Sequence, residues 1–204
     1  MKKIGIDARL YFQTGVGVYL RNFLHFLQKE TPANYQYYVY VLKKDSDQIH
    51  FPSGQFIKRE VNSHWHSLSE QTKFYSILQK DNLDLMHFTY FSYPVLYKRK
   101  FIATIHDVTP LIHKTGKAST LNPLLYELKY QSFKYVLKQQ VKNASIVITP
   151  TESVKNELVE IYGKQFENKI IPIYEGVNYE IQVAKENVSL QSEFQKPFFL
   201  YVGN

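Results

Sequence analysis

The sequence predicts an α/β fold in which a mostly parallel central sheet lies between helices on both faces. Short runs rich in β-branched and aromatic residues alternate with longer amphipathic stretches, which is the order that β–α–β units produce. The chain has 204 residues, 44% hydrophobic and 21% charged, so it can form one large domain, or a domain and part of another, with a sizeable core. These observations favour a Rossmann-like three-layer sandwich.

The first predicted unit is a strand, a loop and a helix. Residues 4–6 are apolar and end at Asp7, and the polar loop that follows contains Gly15 and Gly17. Residues 18–29 then carry apolar side chains at helical spacing, namely Leu20, Phe23, Leu24 and Leu27. The pattern places a glycine-containing loop between the end of a strand and the start of a helix.

The remaining elements follow from the same patterns. Apolar, β-rich runs predict strands at 37–42, 56–61, 83–88, 101–105, 145–149, 170–174 and 198–202. Amphipathic stretches predict helices at 68–79, 122–142 and 151–162. Pro123 suits a first helical turn, Thr151 can cap the third of these helices and Gly163 can end it. His106 and Asp107 are expected at the carboxyl end of a strand.

Composition excludes several kinds of chemistry. The chain contains no cysteine, which rules out disulfides, thiolate zinc sites, iron–sulfur clusters and cysteine nucleophiles. Lys and Arg number 25 against 18 Asp and Glu, and the net charge of +7 favours an anionic partner or surface without identifying one. The apolar stretch near the amino terminus is interrupted by Asp7 and Arg9, so no secretory leader is predicted and we expect a cytoplasmic protein.

The loop at Thr14-Gly15-Val16-Gly17 is a candidate phosphate site, because backbone N–H groups and the helix dipole both attract anions there. An ordinary glycine-rich loop is the alternative. The loop does not match the dinucleotide fingerprint, since Leu20 occupies the position of the third glycine. The sequence also lacks the Gly-x4-Gly-Lys-[Ser/Thr] motif of P-loop proteins.

A set of motifs in a particular order resembles one known family. They are Gly-Ile-Asp-Ala-Arg (5–9), Thr-Gly-Val-Gly-Val-Tyr (14–19), Thr-Ile-His-Asp-Val-Thr-Pro-Leu (104–111), Ile-Thr-Pro-Thr-Glu-Ser (148–153), Ile-Pro-Ile-Tyr-Glu-Gly-Val-Asn (171–178) and Phe-Leu-Tyr-Val-Gly-Asn (199–204). The chain is therefore identified as similar to the family 4 glycosyltransferases of the GT-B type, retaining, metal-independent enzymes that use nucleotide-diphospho sugars as substrates without a further cofactor.

The resemblance implies a domain organisation. Residues 1–178 correspond to an amino-terminal, acceptor-side GT-B domain, 179–197 to an interdomain linker and 198–204 to the first strand of a second, nucleotide-sugar-binding domain. The expected function is the amino-terminal half of an enzyme that transfers a sugar to a glycan or lipid-linked acceptor in polysaccharide or cell-envelope glycan synthesis. The chain alone is then expected to be inactive.

The resemblance also implies roles for individual residues. Gly15, Val16 and Gly17 correspond to the loop that approaches the donor diphosphate. His106 corresponds to a catalytic residue near the transferred sugar, and Asp107 is expected to orient it. Candidates to line the cleft are Asp7, Thr151, Glu152, Glu175 and Gly176. The chain departs from the family pattern at Val18, where arginine is common, and at Asn178, where aspartate is common.

Several of these residues have simpler interpretations. His106 can be a packed histidine at a strand end, and Asp107 and Glu152 can be turn or helix caps. His64 and His66, with His87 and His113, suggest a metal site only weakly, and a polar loop around a packed Trp65 is favoured, so no metal is predicted.

The basic residues allow two further interpretations. Residues 97–100 and the lysines of the predicted helix at 122–142 either face anionic lipid at the inner face of a membrane or form a solvated surface. A stand-alone basic module that binds nucleic acid or another anionic polymer is the rival hypothesis for the whole chain. No nucleic-acid-binding motif supports it, so we expect no nucleic-acid partner.

Overall fold

Parallel strands form a single sheet in the computed structural model, which describes residues 1–112, 122–182, 199 and 201. In this part of the chain the strands are β1 (Lys2–Asp7), β2 (Tyr35–Leu42), β3 (Phe56–Val61), β4 (Leu85–Phe88), β5 (Phe101–Thr104), β6 (Ile146–Thr149) and β7 (Ile170–Pro172). Their order is β3-β2-β1-β4-β5-β6-β7, and every pairing is parallel. The predicted α/β class and mostly parallel sheet are confirmed.

Helices connect the strands across the sheet faces. They are α1 (Gly15–Lys29), α2 (Tyr75–Asp81), α3 (Thr109–Ile112), α4 (Pro123–Asn143), α5 (Glu152–Tyr162) and α6 (Tyr179–Gln182). Short 3-10 segments at Lys43–Gln48 and Lys164–Lys169 were not predicted, and the predicted helix at 68–79 is a π-helical turn, Glu70–Phe74, that continues into α2.

Local signals explain where the longer helices begin and end. Asn122 is the N-cap of α4, because its side-chain oxygen accepts the N–H of Leu124 at 2.9 Å. Pro123 is the first residue of the helix, a position where proline is favoured. The Thr151 hydroxyl accepts the N–H of Val154 at 3.2 Å and caps α5. Gly163, with φ of 107°, follows the last residue of α5 in a conformation that favours glycine.

The two faces of the sheet pack against different helices, because side chains alternate along each strand. On one face, Val39 packs in a cluster with Leu20 and Leu24 of α1. On the other, Tyr40 belongs to a larger cluster that contains Leu78 of α2 and Leu137 of α4. The result is the predicted three-layer sandwich.

The strand order reverses between β1 and β4, so connections leave β1 and β4 in opposite directions along the sheet. In open α/β sheets ligands bind in the crevice that forms at the carboxyl ends of the strands beside such a reversal. The loops that follow β1, β4, β5, β6 and β7 meet at this edge, which fixes where a site is to be sought.

The predicted linker and second-domain strand lie largely outside the described residues. Residues 179–182 are described, and they form α6 rather than an extended linker. The N–H of Tyr179 donates to the side-chain oxygen of Asn22 at 3.1 Å, and the Tyr179 ring stacks on His25 at 3.9 Å, so the start of this segment packs on α1. Among the described residues, no helix is long and apolar enough to cross a membrane.

Candidate active site

A cavity of about 630 Å³ opens at the carboxyl edge of the sheet. Its walls come from the loops after six strands, β1 and β3 to β7, and from the first turn of α1. The lining residues are Leu10, Gln13, Thr14, Gly15, Val16, Trp65, Tyr90, His106, Asp107, Pro150, Thr151, Tyr174 and Glu175. The fold therefore brings together Gly15, Val16, His106, Asp107, Thr151 and Glu175, which the sequence had singled out at distant positions.

The imidazole of His106 is held from both sides. Its Nε2 lies 3.0 Å from the carbonyl oxygen of Thr89, and its Nδ1 lies 2.9 Å from Oε1 of Glu175. A carbonyl oxygen only accepts, so Nε2 carries a proton, and the contact with the Glu175 carboxyl group needs a second proton between Nδ1 and Oε1. The edge-on ring of Tyr19, 4.9 Å away, completes the support of His106.

The orienting carboxylate of His106 is Glu175 rather than Asp107. Asp107 Oδ1 accepts the N–H of Thr109 at 3.0 Å and so forms an Asx turn that leads into the short helix α3. The prediction that Asp107 orients His106 is therefore wrong, because the strand-to-helix turn directs this carboxylate to the backbone. Asp107 nevertheless lines the cavity.

A chain of buried polar groups lies behind His106. The Thr104 hydroxyl is 2.8 Å from Nε2 of His87 and 3.2 Å from the hydroxyl of Tyr19. Burial, together with the nearby His106, lowers the pKa of His87 to about 3, and burial raises the pKa of Tyr19 to about 12. Both side chains are thus neutral near pH 7, and Nε2 of His87 is engaged by Thr104.

The first turn of α1 forms a wall of the cavity. The N–H groups of Gly15 and Val16 precede the first possible intrahelical acceptor, as at any helix start, and the helix dipole adds positive potential there. Gly17 is buried behind them, where a Cβ would come within 2.7 Å of the carbonyl oxygen of Tyr11. Gly17 thus allows close packing of loop and helix, whereas Gly15 and Val16 face the cavity.

Asp7 does not line the cavity, contrary to prediction, because it is buried in an ionic cluster. Its two carboxylate oxygens accept from Arg9 at 2.8 and 2.6 Å, and a guanidinium nitrogen of Arg9 also lies 2.6 Å from Glu70. Burial lowers the pKa of Arg9, but Asp7 and Glu70 outweigh it, so the pKa lies above its usual value. Asp7 ends β1, and Arg9 follows two residues later in the turn after it, close enough in sequence for the two side chains to pair. That spacing was the signal from which the pair was predictable.

Other candidate residues lie at the margin of the cavity. Glu152 is exposed in the first turn of α5 and is absent from the cavity walls, and the Thr151 side chain caps that helix. Gly176 borders a neighbouring groove instead. Among the described residues, no group of three or more His, Cys, Asp or Glu side chains is placed to hold a metal ion, and His113 lies outside those residues.

Three aromatic residues of the cavity were not predicted as site residues: Trp65, Tyr90 and Tyr174. No motif marks Trp65, which lies in an irregular loop after β3, and only the fold brings that loop beside the carboxyl ends of β1 and β4.

The comparisons with known proteins agree with the motif order. Residues 13–181 match the model of the family described as Glycosyltransferase Family 4. A solved structure of sucrose-phosphate synthase from Thermosynechococcus elongatus has a similar fold, with a TM-score of 0.50. The match covers 94% of this chain and 96% of that one, at 14% sequence identity. No curated protein matches the sequence. The family match covers most of the chain, and the chain therefore belongs to glycosyltransferase family 4, with the Rossmann-like fold of a GT-B domain.

Proposed function

We propose that this chain is the amino-terminal, acceptor-side domain of a retaining glycosyltransferase that transfers a sugar from a nucleotide-diphospho sugar without a metal ion. The observation that carries the proposal is the convergence of two features on one cavity. These are the start of α1, at Gly15 and Val16, and the supported pair His106–Glu175. Membership of family 4 supplies the class of reaction.

The leaving diphosphate is assigned to the start of α1. Negative charge develops on the diphosphate as its bond to the sugar breaks, and fixed N–H donors stabilise that charge without a metal. The N–H groups of Gly15 and Val16 and the dipole of a helix of 15 residues supply such donors. Positive charge develops at the sugar carbon, and its stabilisation is assigned to the backbone carbonyl oxygen of His106. The ring nitrogens of His106 are not available for this role, because both are already hydrogen-bonded, to Thr89 and to Glu175.

The resemblance to family 4 assigns the nucleotide and further diphosphate contacts to a second Rossmann-like domain. We therefore expect the 204-residue chain by itself to bind a nucleoside diphosphate weakly and to transfer no sugar. The acceptor in this proposal is a glycan or a lipid-linked saccharide, and the place of action is the cytoplasm, at or near the inner face of a membrane.

The experiment that tests the diphosphate assignment compares two substitutions at one residue. Val16→Pro removes an N–H while keeping a backbone compatible with a first helical turn, and Val16→Ala loses similar packing but keeps the N–H. Binding of UDP, ADP and GDP is measured by phosphorus NMR titration. A hydrogen bond to a charged group is worth about 1.5–3 kcal/mol, so Val16→Pro should bind about tenfold more weakly than Val16→Ala. Equal affinities would remove the start of α1 from the proposal.

Exposed leucines favour contact with a membrane surface. Leu68 and Leu128 border one surface groove and are 86% and 65% exposed, and Leu124, one turn before Leu128 on α4, is 81% exposed. Lys129 borders the same groove, and Lys134 follows on α4. Apolar side chains beside lysines match the interface of an anionic bilayer, where each buried leucine contributes about 1.5–3 kcal/mol.

Sedimentation with vesicles tests this contact. The chain should sediment with phosphatidylglycerol vesicles and much less with phosphatidylcholine vesicles. The double variant Leu124→Ser/Leu128→Ser should stay in the supernatant, whereas Ile181→Ser, which changes an exposed residue of α6, should sediment like the unaltered chain. If both variants sediment equally, the leucines do not form the contact.

A further inference from the structure

The cavity has chemically different walls. Gly15 and Val16 offer N–H groups, and His106 and Glu175 lie at the reacting end assigned above, but Trp65 presents the large apolar surface of an indole. Neither the diphosphate nor the reacting centre needs such a surface. Tyr90, in the loop after β4, adds a second aromatic ring to the same cavity.

The backbone on both sides of Trp65 is fixed by buried groups. The carbonyl oxygen of Ser63 accepts from Arg9 at 3.1 Å, and the N–H of His66 lies 3.2 Å from a carboxylate oxygen of Glu70 and 3.1 Å from the Ser92 hydroxyl. Arg9, Ser63, Glu70 and Ser92 are each at most 1% exposed. A surface loop is thus tied to the ionic cluster in the core immediately before and after its tryptophan.

The residue after Trp65 adopts a costly conformation. His66 has φ of 55°, in the left-handed region that costs a residue with a side chain about 1 kcal/mol or more. The hydrogen bonds of its N–H to Glu70 and Ser92 hold it there. Because these hydrogen bonds hold the loop in spite of its strain, Trp65 is kept in one position. An aromatic side chain that is already fixed loses little conformational entropy when a ligand binds to it.

We propose that Trp65, together with Tyr90, is the surface on which a sugar ring of the acceptor rests, so that the acceptor is a saccharide recognised through the apolar face of a pyranose. This inference rests on the proposed function. A pyranose carries C–H groups on its faces and hydroxyl groups around its rim. A ring that lies against an indole therefore keeps its hydroxyls free for the polar groups of the cavity, one of them toward the reacting centre at His106.

The protein contains a single tryptophan, so its intrinsic fluorescence reports on this surface directly. The chain is titrated with methyl glycosides of glucose, galactose, mannose and N-acetylglucosamine and with their β-linked disaccharides. We expect a saturable change in Trp65 emission with at least one of them. Uridine and adenosine are titrated in parallel, because a nucleobase also stacks on aromatic rings.

Variants separate stacking from folding. Ligand-detected NMR measures saccharide binding to Trp65→Ala, Trp65→Phe and Tyr135→Ala, the last an exposed aromatic residue on α4 outside the cavity. Trp65→Ala should weaken binding about tenfold, Trp65→Phe should retain most of it, and Tyr135→Ala should not change it. Circular dichroism and thermal unfolding verify that each variant is folded.

The outcomes distinguish this inference from the proposed function, which the UDP titration tests separately. If UDP binds but no saccharide alters Trp65 emission, the aromatic surface is not an acceptor site, although the diphosphate assignment stands. If uridine alters the emission and the saccharides do not, the surface binds a nucleobase and the inference is wrong. If saccharides bind equally to Trp65→Ala, they bind elsewhere and the inference is also wrong.

Discussion

Replacing Arg9 with Met removes the central cation of a buried cluster. The guanidinium is 0% exposed and lies 2.6 Å from both Asp7 and Glu70, so the variant leaves two carboxylates in the core without their partner. Removing one partner of a buried ion pair costs about 3–5 kcal/mol. A domain is stabilised by only about 5–15 kcal/mol, so Arg9→Met should lose about a fifth or more of the free energy of unfolding.

Arg59→Met is the matched control. Arg59 also forms a salt bridge, 2.7 Å from Asp81, and it lies over the ring of Tyr38 as Arg9 lies over that of Phe74. The Arg59 side chain is 42% exposed, and Asp81, whose side chain is 9% exposed, keeps its hydrogen bond from the Tyr40 hydroxyl when Arg59 is replaced, so the loss of this pair should cost less than the loss of the fully buried one. Urea unfolding followed by circular dichroism measures both variants. If the free energies of unfolding of Arg9→Met and Arg59→Met differ by less than about 1 kcal/mol, the buried cluster does not have the role assigned to it.

If Arg9→Met is destabilised but still folded, the fluorescence emission of Trp65 should also shift, because Arg9 bonds to the carbonyl of Ser63 in the same loop.

Three further substitutions test the site and its support. Glu175→Gln removes the charge beside Nδ1 of His106 but keeps a side chain of the same shape that can hydrogen-bond to it, so nitrogen NMR should show a shifted Nδ1 resonance, whereas Nε2 keeps its bond to the Thr89 carbonyl; unchanged spectra would contradict the assigned pair. His87 has its pKa lowered from 6.5 to about 3, so between these pH values the unfolded chain binds one more proton and stability falls with falling pH. From pH 7 to pH 5 this costs about 2 kcal/mol, and His87→Leu should reduce the measured loss by about that amount. Gly17→Ala places a Cβ 2.7 Å from a backbone carbonyl oxygen and should lower stability by about 1–3 kcal/mol, measured by thermal unfolding. Gly54→Ala, with open space around the added Cβ, should be neutral or slightly stabilising. Equal effects of the two variants would show that the loop before α1 moves to accommodate the methyl group.

Most of the fold was predictable because it depends on local patterns. The alternation of apolar runs and amphipathic stretches identified the strands and the long helices, and Thr151 and Gly163 marked the two ends of α5. The π-helical turn at Glu70–Phe74 was not predictable in this way. It belongs to a segment whose Glu70 side chain is bonded to Arg9, and sequence periodicity does not record such a distant contact.

The candidate site was predicted in part. Strand ends and motifs identified His106, Glu175 and the start of α1, because polar residues at the carboxyl ends of parallel strands gather at one edge of the sheet. Asp7 was assigned to the cleft for the same reason. The argument failed there because a residue at a strand end can also turn inward, and Arg9 provides the charge that makes its burial possible.

The sequence by itself determined the class of fold, the family and the exclusion of cysteine chemistry, because hydrophobic periodicity, motif order and composition are properties of the chain alone. Only the tertiary structure decided which carboxylate meets His106, that Arg9 lies between two acids, and that Trp65 lines the cavity. Glu175 and His106 are 69 residues apart, and Arg9 and Glu70 are 61 apart. Contacts over such separations depend on strand order and on the packing of loops, which local sequence does not encode.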